Sequence, residues 1–590
     1  MRILMLNWAP VWEGARKGGI SGYTQALALE LAARGHRVAT LASGTAYPPL
    51  PDWRNALPGP IARVLGKSDA TSTATPTSTP TPTYTPAPTS TPAPCQPRRH
   101  DDWMGIAVYE IVGSPVLAPS LLQFNEPLAE VCSPQLEAAF ARVLAAERPD
   151  VLHVQSLEGF SIGCIDAALA AGCRVVYSLH NYHPLCPQVY LMRGHRTVCG
   201  DSQGGRACRG CVPAPEPAWE RARRAAAWPA EPPAFDACDQ RPSRPPAVPL
   251  PVLGQPLEQP ARAADPDTDA RGMSALLRAW QSPDHWFTPQ DPTWQPFDNI
   301  ARPEPTSSEP VSPEPASEEP ATDYARRRAA FVEALNRCQA VHAVSSFVAD
   351  KFVAHGVDAR RVRTITIGTI AGRLAERNAE LVFDPPPRPT PMARPLRLVF
   401  IGANHWYKGL SMLADSLDLL TPEVLGKVAL TVYAAGGRSI EYRFRRLEPR
   451  LASLRYGGEY QPQDVPWICG GQDAGVVPSV WWDNGPQTVL EMQASGLPVL
   501  GARAGGIPDF VRDGFNGLLF TANDRFDLAR TIARCVDQPA LVERLRAGVR
   551  PPKPMDLHAT EVEALYRAAL AHPGGMPAAP VEHSTADRVS

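Results

Sequence analysis

Asp483 and Glu491 stand either side of the run Asn484-Gly485-Pro486-Gln487-Thr488-Val489-Leu490, so that seven residues separate two carboxylates. The stretch from Pro478 reads as the end of a strand, a loop and the opening of a helix. Pro486 suits a first helical turn, and the unpaired amides of that turn form a site for a diphosphate. Asp483 in the loop and Glu491 roughly a turn and a half into the helix can face one cleft and accept hydrogen bonds from sugar and ribose hydroxyls. Lys17-Gly18-Gly19-Ile20-Ser21-Gly22 offers a second Gly-rich loop ahead of a helix. Each feature alone has a plain structural explanation. A Gly-Gly loop is a common turn, Lys408 a surface lysine, His180 a strand-end histidine with a satisfied ring, and Asp483 a helix cap.

The elements that would place these groups alternate between strand and helix. Arg2 to Leu6 is a short buried-strand pattern, Tyr23, Leu27 and Leu31 recur at helical spacing up to Gly35, and Arg37 to Leu41 returns as a strand. Val151 to Val154, Val175 to Leu179, Ala340 to Val344 and Val362 to Ile367 continue the rhythm. A second series runs through Leu396 to Ile401, Val428 to Tyr433, Gly475 to Val477 and Val499-Leu500. The pattern predicts an α/β protein of two Rossmann-like domains, with ligands at the carboxyl ends of parallel strands. We expect one domain over 1–384, a linker over 385–395 around Pro385-Pro386-Pro387, a second domain over 396–550, a helix over 551–572 and a tail over 573–590. The 66 prolines concentrate in a few stretches, and two of these without apolar period, about 70–98 and 212–322, read as disordered insertions.

The 590 residues carry a formal charge of -2, which gives no electrostatic footprint for a nucleic acid. No apolar stretch is long enough to cross a bilayer, and the amino terminus lacks a secretory pattern. A cytoplasmic protein is expected, with the inner membrane face as a peripheral alternative.

The order of the landmarks resembles glycosyltransferase family 4. Asp483 and Glu491 hold the spacing of its E-x7-E signature. Gly496-Leu497-Pro498-Val499, Ala504-Gly505-Gly506-Ile507-Pro508-Asp509 and Asp513-Gly514-Phe515-Asn516-Gly517-Leu518-Leu519 match its next landmarks. Gly18-Gly19, Arg34-Gly35-His36-Arg37-Val38, Leu179-His180 and Lys408-Gly409 also fall in family order. The resemblance implies a GT-B architecture and a retaining, metal-independent transfer from a nucleotide-diphosphate sugar to a polysaccharide, glycolipid or other cell-envelope acceptor. By the same resemblance Gly18, Gly19 and Lys408 would face the diphosphate, and Asp483 and Glu491 would hold the sugar and the ribose. His180 would lie beside the anomeric centre. Gly402, Asn404, Asn484, Gly485, Pro486, Gln487 and Thr488 complete the expected donor site. Three positions depart from the family pattern: Asp483 replaces the usual Glu, Asn404 stands near where an Arg is usual, and Asn181 follows the histidine in place of Asp.

Cys186, Cys199, Cys208 and Cys211 form a C-x12-C-x8-C-x2-C series that could ligate a structural zinc. An iron–sulfur centre or free thiols stay open. Asp265, Asp267 and Asp269 read as solvated charge. Two other functions share the pattern: a nucleotide-sugar epimerase, and a degenerate sugar-binding protein without turnover.

Overall fold

The computed structural model describes residues 1–11, 18–43, 95–118, 120–194, 197–211, 321–372, 394–435 and 438–572. Most of the two Pro-rich insertions, the linker and the tail lie outside these residues. So do Asp265 to Asp269 and a short helix expected over 274–280.

Runs of β-branched and aliphatic residues build two sheets. The first orders eight strands as β10-β9-β6-β5-β1-β2-β4-β3. They are β1 (Arg2–Asn7), β2 (Arg37–Ala42), β3 (Gln96–Arg99), β4 (Ala107–Val112), β5 (Val151–Val154), β6 (Arg174–Leu179), β9 (Ala340–Ala343) and β10 (Val362–Thr364). All neighbours are parallel except β3, which runs antiparallel to β4. Gln96 to Arg98, placed at the end of the first insertion by composition, therefore belong to an edge strand of the sheet. A two-stranded hairpin, β7 (Met192–Arg193) and β8 (Thr197–Val198), projects from the loop after β6. The second sheet orders six strands as β13-β12-β11-β14-β15-β16. These are β11 (Leu396–Ala403), β12 (Val428–Ala435), β13 (Ser453–Gly457), β14 (Ala474–Val477), β15 (Val499–Arg503) and β16 (Gly517–Thr521).

Both sheets reverse direction of growth beside a central strand, β1 in one and β11 in the other. Open parallel sheets bind ligands in the crevice at such switch points. The near-continuous burial of β1, β5 and β14 follows from helices covering both faces.

Each sheet has its own apolar core. The last helix, Met555–Ala571, follows the second domain in sequence but buries Ala559, Val562, Leu565, Tyr566 and Ala569 in the first core. It covers the flank of the helix Gly18–Ala33, where Arg34 reaches the carbonyl of Asp556 at 2.5 Å and the hydroxyl of Thr560 at 3.0 Å.

A buried ion cluster ties the chain after the second insertion into the first domain. Arg327, on the helix Asp323–Arg337, donates from Nε to Glu130 Oε2 at 2.5 Å and from Nη2 to the His183 carbonyl at 2.9 Å. His183 Nε2 and the Ser120 hydroxyl share Glu130 Oε1 at 2.8 and 2.6 Å. Burial pushes the Glu130 carboxyl upward, but Arg327 and His183 outweigh it and hold the group at about 2. Arg327→Ala leaves a buried carboxylate uncompensated and should cost about 3–5 kcal/mol of unfolding free energy in urea titrations. The depressed carboxyl stabilises fully above its ordinary value of 4.5 and loses that contribution as pH falls through about 2. The difference between wild type and variant should therefore shrink across that acid window; a constant difference would assign the loss to packing alone.

Candidate active site

The loop after β14, residues 478–486, is held by glycines that allow backbones to touch. Gly505, at φ +55°, has no room for a side chain: a Cβ would lie 2.2 Å from the Asp483 carbonyl oxygen and 2.5 Å from its nitrogen. Gly506 donates its amide to the Asp483 carbonyl at 2.6 Å. Gly409 sits at φ +77°, where a Cβ would fall 1.6 Å from the Pro478 carbonyl oxygen. The Lys408-Gly409 pair and the Asp483 loop are thus locked together through main chain, and their side chains meet as a consequence.

Lys408 Nζ lies 2.7 Å from Asp483 Oδ2, with the Ser479 hydroxyl 3.4 Å from the same oxygen. Asp483 is almost fully buried, whereas Lys408 keeps part of its surface open. The ammonium also stands over the rings of Trp481 and Tyr407 at 5.6 and 5.8 Å. Tyr190, in the loop that carries the cysteines, packs against both rings, with centroids 5.3 Å from Trp481 and 4.6 Å from Tyr407. An aromatic wall therefore backs the cation on the side of the first domain.

Pro486 caps the helix Gln487–Ala494, which ends before Gly496 at φ +72°. Gln487 and Thr488 open its first turn. Glu491 is partly exposed as a residue, but its Oε2 is buried and has no hydrogen-bond partner among the described residues. Burial raises its carboxyl to about 7, with Lys408 pulling the other way. Asn484 is buried with both side-chain polar atoms unpartnered among the described residues. Buried polar atoms without partners are costly, and here they cluster at one helix start. Gly485 packs against Val344 and Ile367 of the first domain, where a Cβ would come within 3.2 Å of Ile367. Gly402 is the second-last residue of β11, and the buried Asn404 ties the next loop to β12 through its main-chain amide and the Ala435 carbonyl at 2.7 Å.

In the first domain the helix begins at Gly18 instead of after the Gly-rich segment, so Gly18 and Gly19 belong to its first turn. Lys17 lies outside the described residues. A Cβ on Gly19 would meet Gln487 Cγ at 3.8 Å. The amino ends of two helices, one from each domain, thus face each other across the cleft, and both present positive dipole ends. His180 follows directly on β6. Its Nε2 bonds Gln155 Oε1 at 2.7 Å, and its ring lies 4.5 Å from that of Tyr23. Burial pushes its pKa down to about 3, which keeps the ring neutral. Two residues on, the Tyr182 hydroxyl donates to the Trp482 carbonyl at 2.9 Å and joins the histidine loop to the Asp483 loop.

The cysteine series does not converge as expected for zinc. Among the described residues no group of three or more His, Cys, Asp or Glu side chains is placed to hold a metal ion. Cys186 is buried in the first core, and Cys208 packs with Phe124, Cys211 and Tyr324. Cys199 turns to the Asp201 carbonyl at 3.6 Å, while Cys211 accepts from Gln188 Nε2 at 3.2 Å and the Gly194 amide at 3.3 Å. The loop is held by apolar packing and N–H to sulfur bonds. No helix of the described residues is long and apolar enough to cross a membrane.

The family model described as "Glycosyl transferase 4-like domain" matches residues 18–237, and "Glycosyl transferases group 1" matches residues 395–538. The chain belongs to glycosyltransferase family 4. A D-inositol 3-phosphate glycosyltransferase of Thermobifida fusca is 38% identical over 84 residues, 14% of this chain and 19% of that protein. The protein of the same name from Corynebacterium aurimucosum is 27% identical over 182 residues, 29% of this chain and 43% of that one. The chain therefore spans less than half the length of these curated relatives. Among solved structures, sucrose-phosphate synthase of Thermosynechococcus elongatus superposes with a TM-score of 0.50 at 13% identity, over 96% of this chain and 99% of that one. This likeness shows the GT-B fold of the family 4 chain.

Gly409→Ala tests the main-chain lock. The added methyl must displace the Pro478 carbonyl and occupy a left-handed conformation, so we expect a lower thermal midpoint and at least tenfold weaker nucleotide binding by calorimetry. Unchanged binding would show that Lys408 does not depend on this contact.

Proposed function

We propose that the protein transfers a sugar from a nucleotide-diphosphate sugar to an acceptor hydroxyl, with retention of anomeric configuration and without a catalytic metal. One observation carries this reading: an ammonium and a helix start stand together between Asp483 and the unpartnered Glu491 Oε2. The diphosphate lies against the amides of Gln487 and Thr488, with Gly18 and Gly19 opposite and Lys408 beside it. Glu491 accepts hydrogen bonds from the ribose diol. Asp483, sharing Lys408, receives a hydroxyl of the transferred sugar.

As the bond from the anomeric carbon to the phosphate oxygen breaks, its electron pair moves to the diphosphate. Lys408 and the helix amides stabilise that growing charge. The acceptor hydroxyl adds to the anomeric carbon on the same face, and its proton passes to the departing phosphate oxygen. His180, neutral at the edge of β6, orients a hydroxyl near that centre. Retention and metal independence rest on the family resemblance, as does an acceptor of the polysaccharide, glycolipid or cell-envelope class. We place the reaction in the cytoplasm or at the inner membrane face.

Lys408→Ala and Glu491→Ala should each reduce transfer, followed as release of nucleoside diphosphate with a panel of nucleotide sugars, by about 100-fold or more. Turnover at the wild-type rate in both would sink the reading. Binding is also pH-dependent. The free Glu491 carboxyl, raised to about 7, offers both oxygens as acceptors to the ribose diol only when ionised, and it faces Lys408, Tyr460 and Cys469. Nucleoside diphosphate affinity should therefore rise as pH increases through 7 and level off above it. Calorimetric titrations from pH 6 to pH 8 read this trend, and it should vanish in Glu491→Gln.

A further inference from the structure

His180 Nε2 is one end of a chain of hydrogen bonds that runs through the interior of the first domain. The far end is the Ile365 carbonyl, which can only accept. His342 Nε2 therefore donates to it, at 2.7 Å, and must carry the proton of that ring. Burial pushes His342 down to about 4, so the ring is neutral and its Nδ1 accepts. The Ser178 hydroxyl, 2.7 Å away, has one proton and gives it to that nitrogen. Its oxygen then accepts from His153 Nε2 at 2.7 Å, which leaves His153 Nδ1 as an acceptor. The Tyr566 hydroxyl, from the last helix, and Gln155 Nε2 share the single lone pair of this nitrogen at 2.5 and 2.9 Å, and the amide oxygen of Gln155 cannot face that lone pair. With its amide nitrogen so used, Gln155 turns Oε1 to His180 Nε2 at 2.7 Å. His180 Nε2 is thereby the protonated nitrogen, and Nδ1, which no described residue engages, carries the free lone pair.

We infer that Ile365, His342, Ser178, His153 and Gln155 form a tautomer lock that presents His180 Nδ1 as an acceptor for a sugar hydroxyl. His153, Gln155, Ser178 and His342 are positioning residues; only His180 touches substrate. The lock sets the direction of one hydrogen bond: a hydroxyl that donates is held, while a group that can only accept is turned away. Its part in sugar recognition rests on the proposed transferase function, but its existence does not.

Ser178→Ala separates the two. Without the hydroxyl, His153 Nε2 loses its acceptor. The ring is then free to protonate at Nδ1, the Gln155 amide to flip, and His180 to move its proton to Nδ1. In protein labelled with 15N-histidine, wild-type His180, assigned by comparison with His180→Asn, should show a protonated Nε2 and an unprotonated Nδ1. Ser178→Ala should shift the pair toward the reverse, and Ser178→Thr, which restores the hydroxyl, should return it.

With a turned-over sugar donor, Ser178→Ala should lower kcat/KM by roughly tenfold to 100-fold, while free nucleoside diphosphate binds as in wild type. If Ser178→Ala does not fold, Gln155→Leu gives the same readout by removing the partner of His180. A wild-type His180 protonated at Nδ1, or an unchanged tautomer in the variants, overturns the lock. A tautomer that switches as described in a protein that transfers no sugar supports the lock and removes only its proposed use.

Discussion

The contact between Lys408 and Asp483 is the point that the close-packed main chain around the site is built to hold. An ammonium held 2.7 Å from a nearly buried carboxylate needs both chains fixed, because two flexible side chains brought together on a surface gain little. The fixing is done by main chain. Gly409 lies against Pro478, Gly505 and Gly506 lie against Asp483 and Asn484, and none of these approaches tolerates a Cβ. The sequence around the site is rich in glycine and proline for that reason, and its few charges stay few. Glu491 follows from the same arrangement. Its Oε2 is shut from water with no hydrogen-bond partner among the described residues.

What the sequence disclosed was local. Pro486 before a helix, Gly496 after it, and the spacing of Asp483 to Glu491 are rules of the chain over a dozen residues, and the structure obeys them. The strands that precede His180 and, five residues on, Lys408 were legible because buried parallel strands are continuous apolar runs. The misplacements also have physical reasons. Gln96 to Arg99 are too polar to announce a strand, and they form one only because an edge position beside β4 needs a single apolar face. The helix begins at Gly18, inside the Gly-rich segment, and its first turn lies against Gln487 of the opposite domain. Four cysteines in one loop invited a metal, yet among the described residues they are not grouped as a metal site.

Long-range pairing was the part hidden from inspection. Ser178 and His342 meet across 164 residues, most of them insertion, and His153 meets Tyr566 across 413. Nothing local marks a histidine as belonging to a relay. The only trace was His153 and Gln155, two polar residues at the buried end of β5 where an apolar run would be expected. Tyr190 was similarly silent, although it supplies one face of the aromatic wall beside Lys408.

The return of the last helix to the first domain means that the polypeptide passes between the domains twice. The outgoing and incoming passages run side by side at one point: the Thr369 amide bonds the Lys553 carbonyl at 3.0 Å, Thr369 bridges Pro554, and Gly368 leaves the space that His558 fills. A double strap of this kind fastens one lobe to the other through two lengths of main chain pinned to each other. Cutting the chain after the second domain would remove one of them and also uncover the flank of the first core.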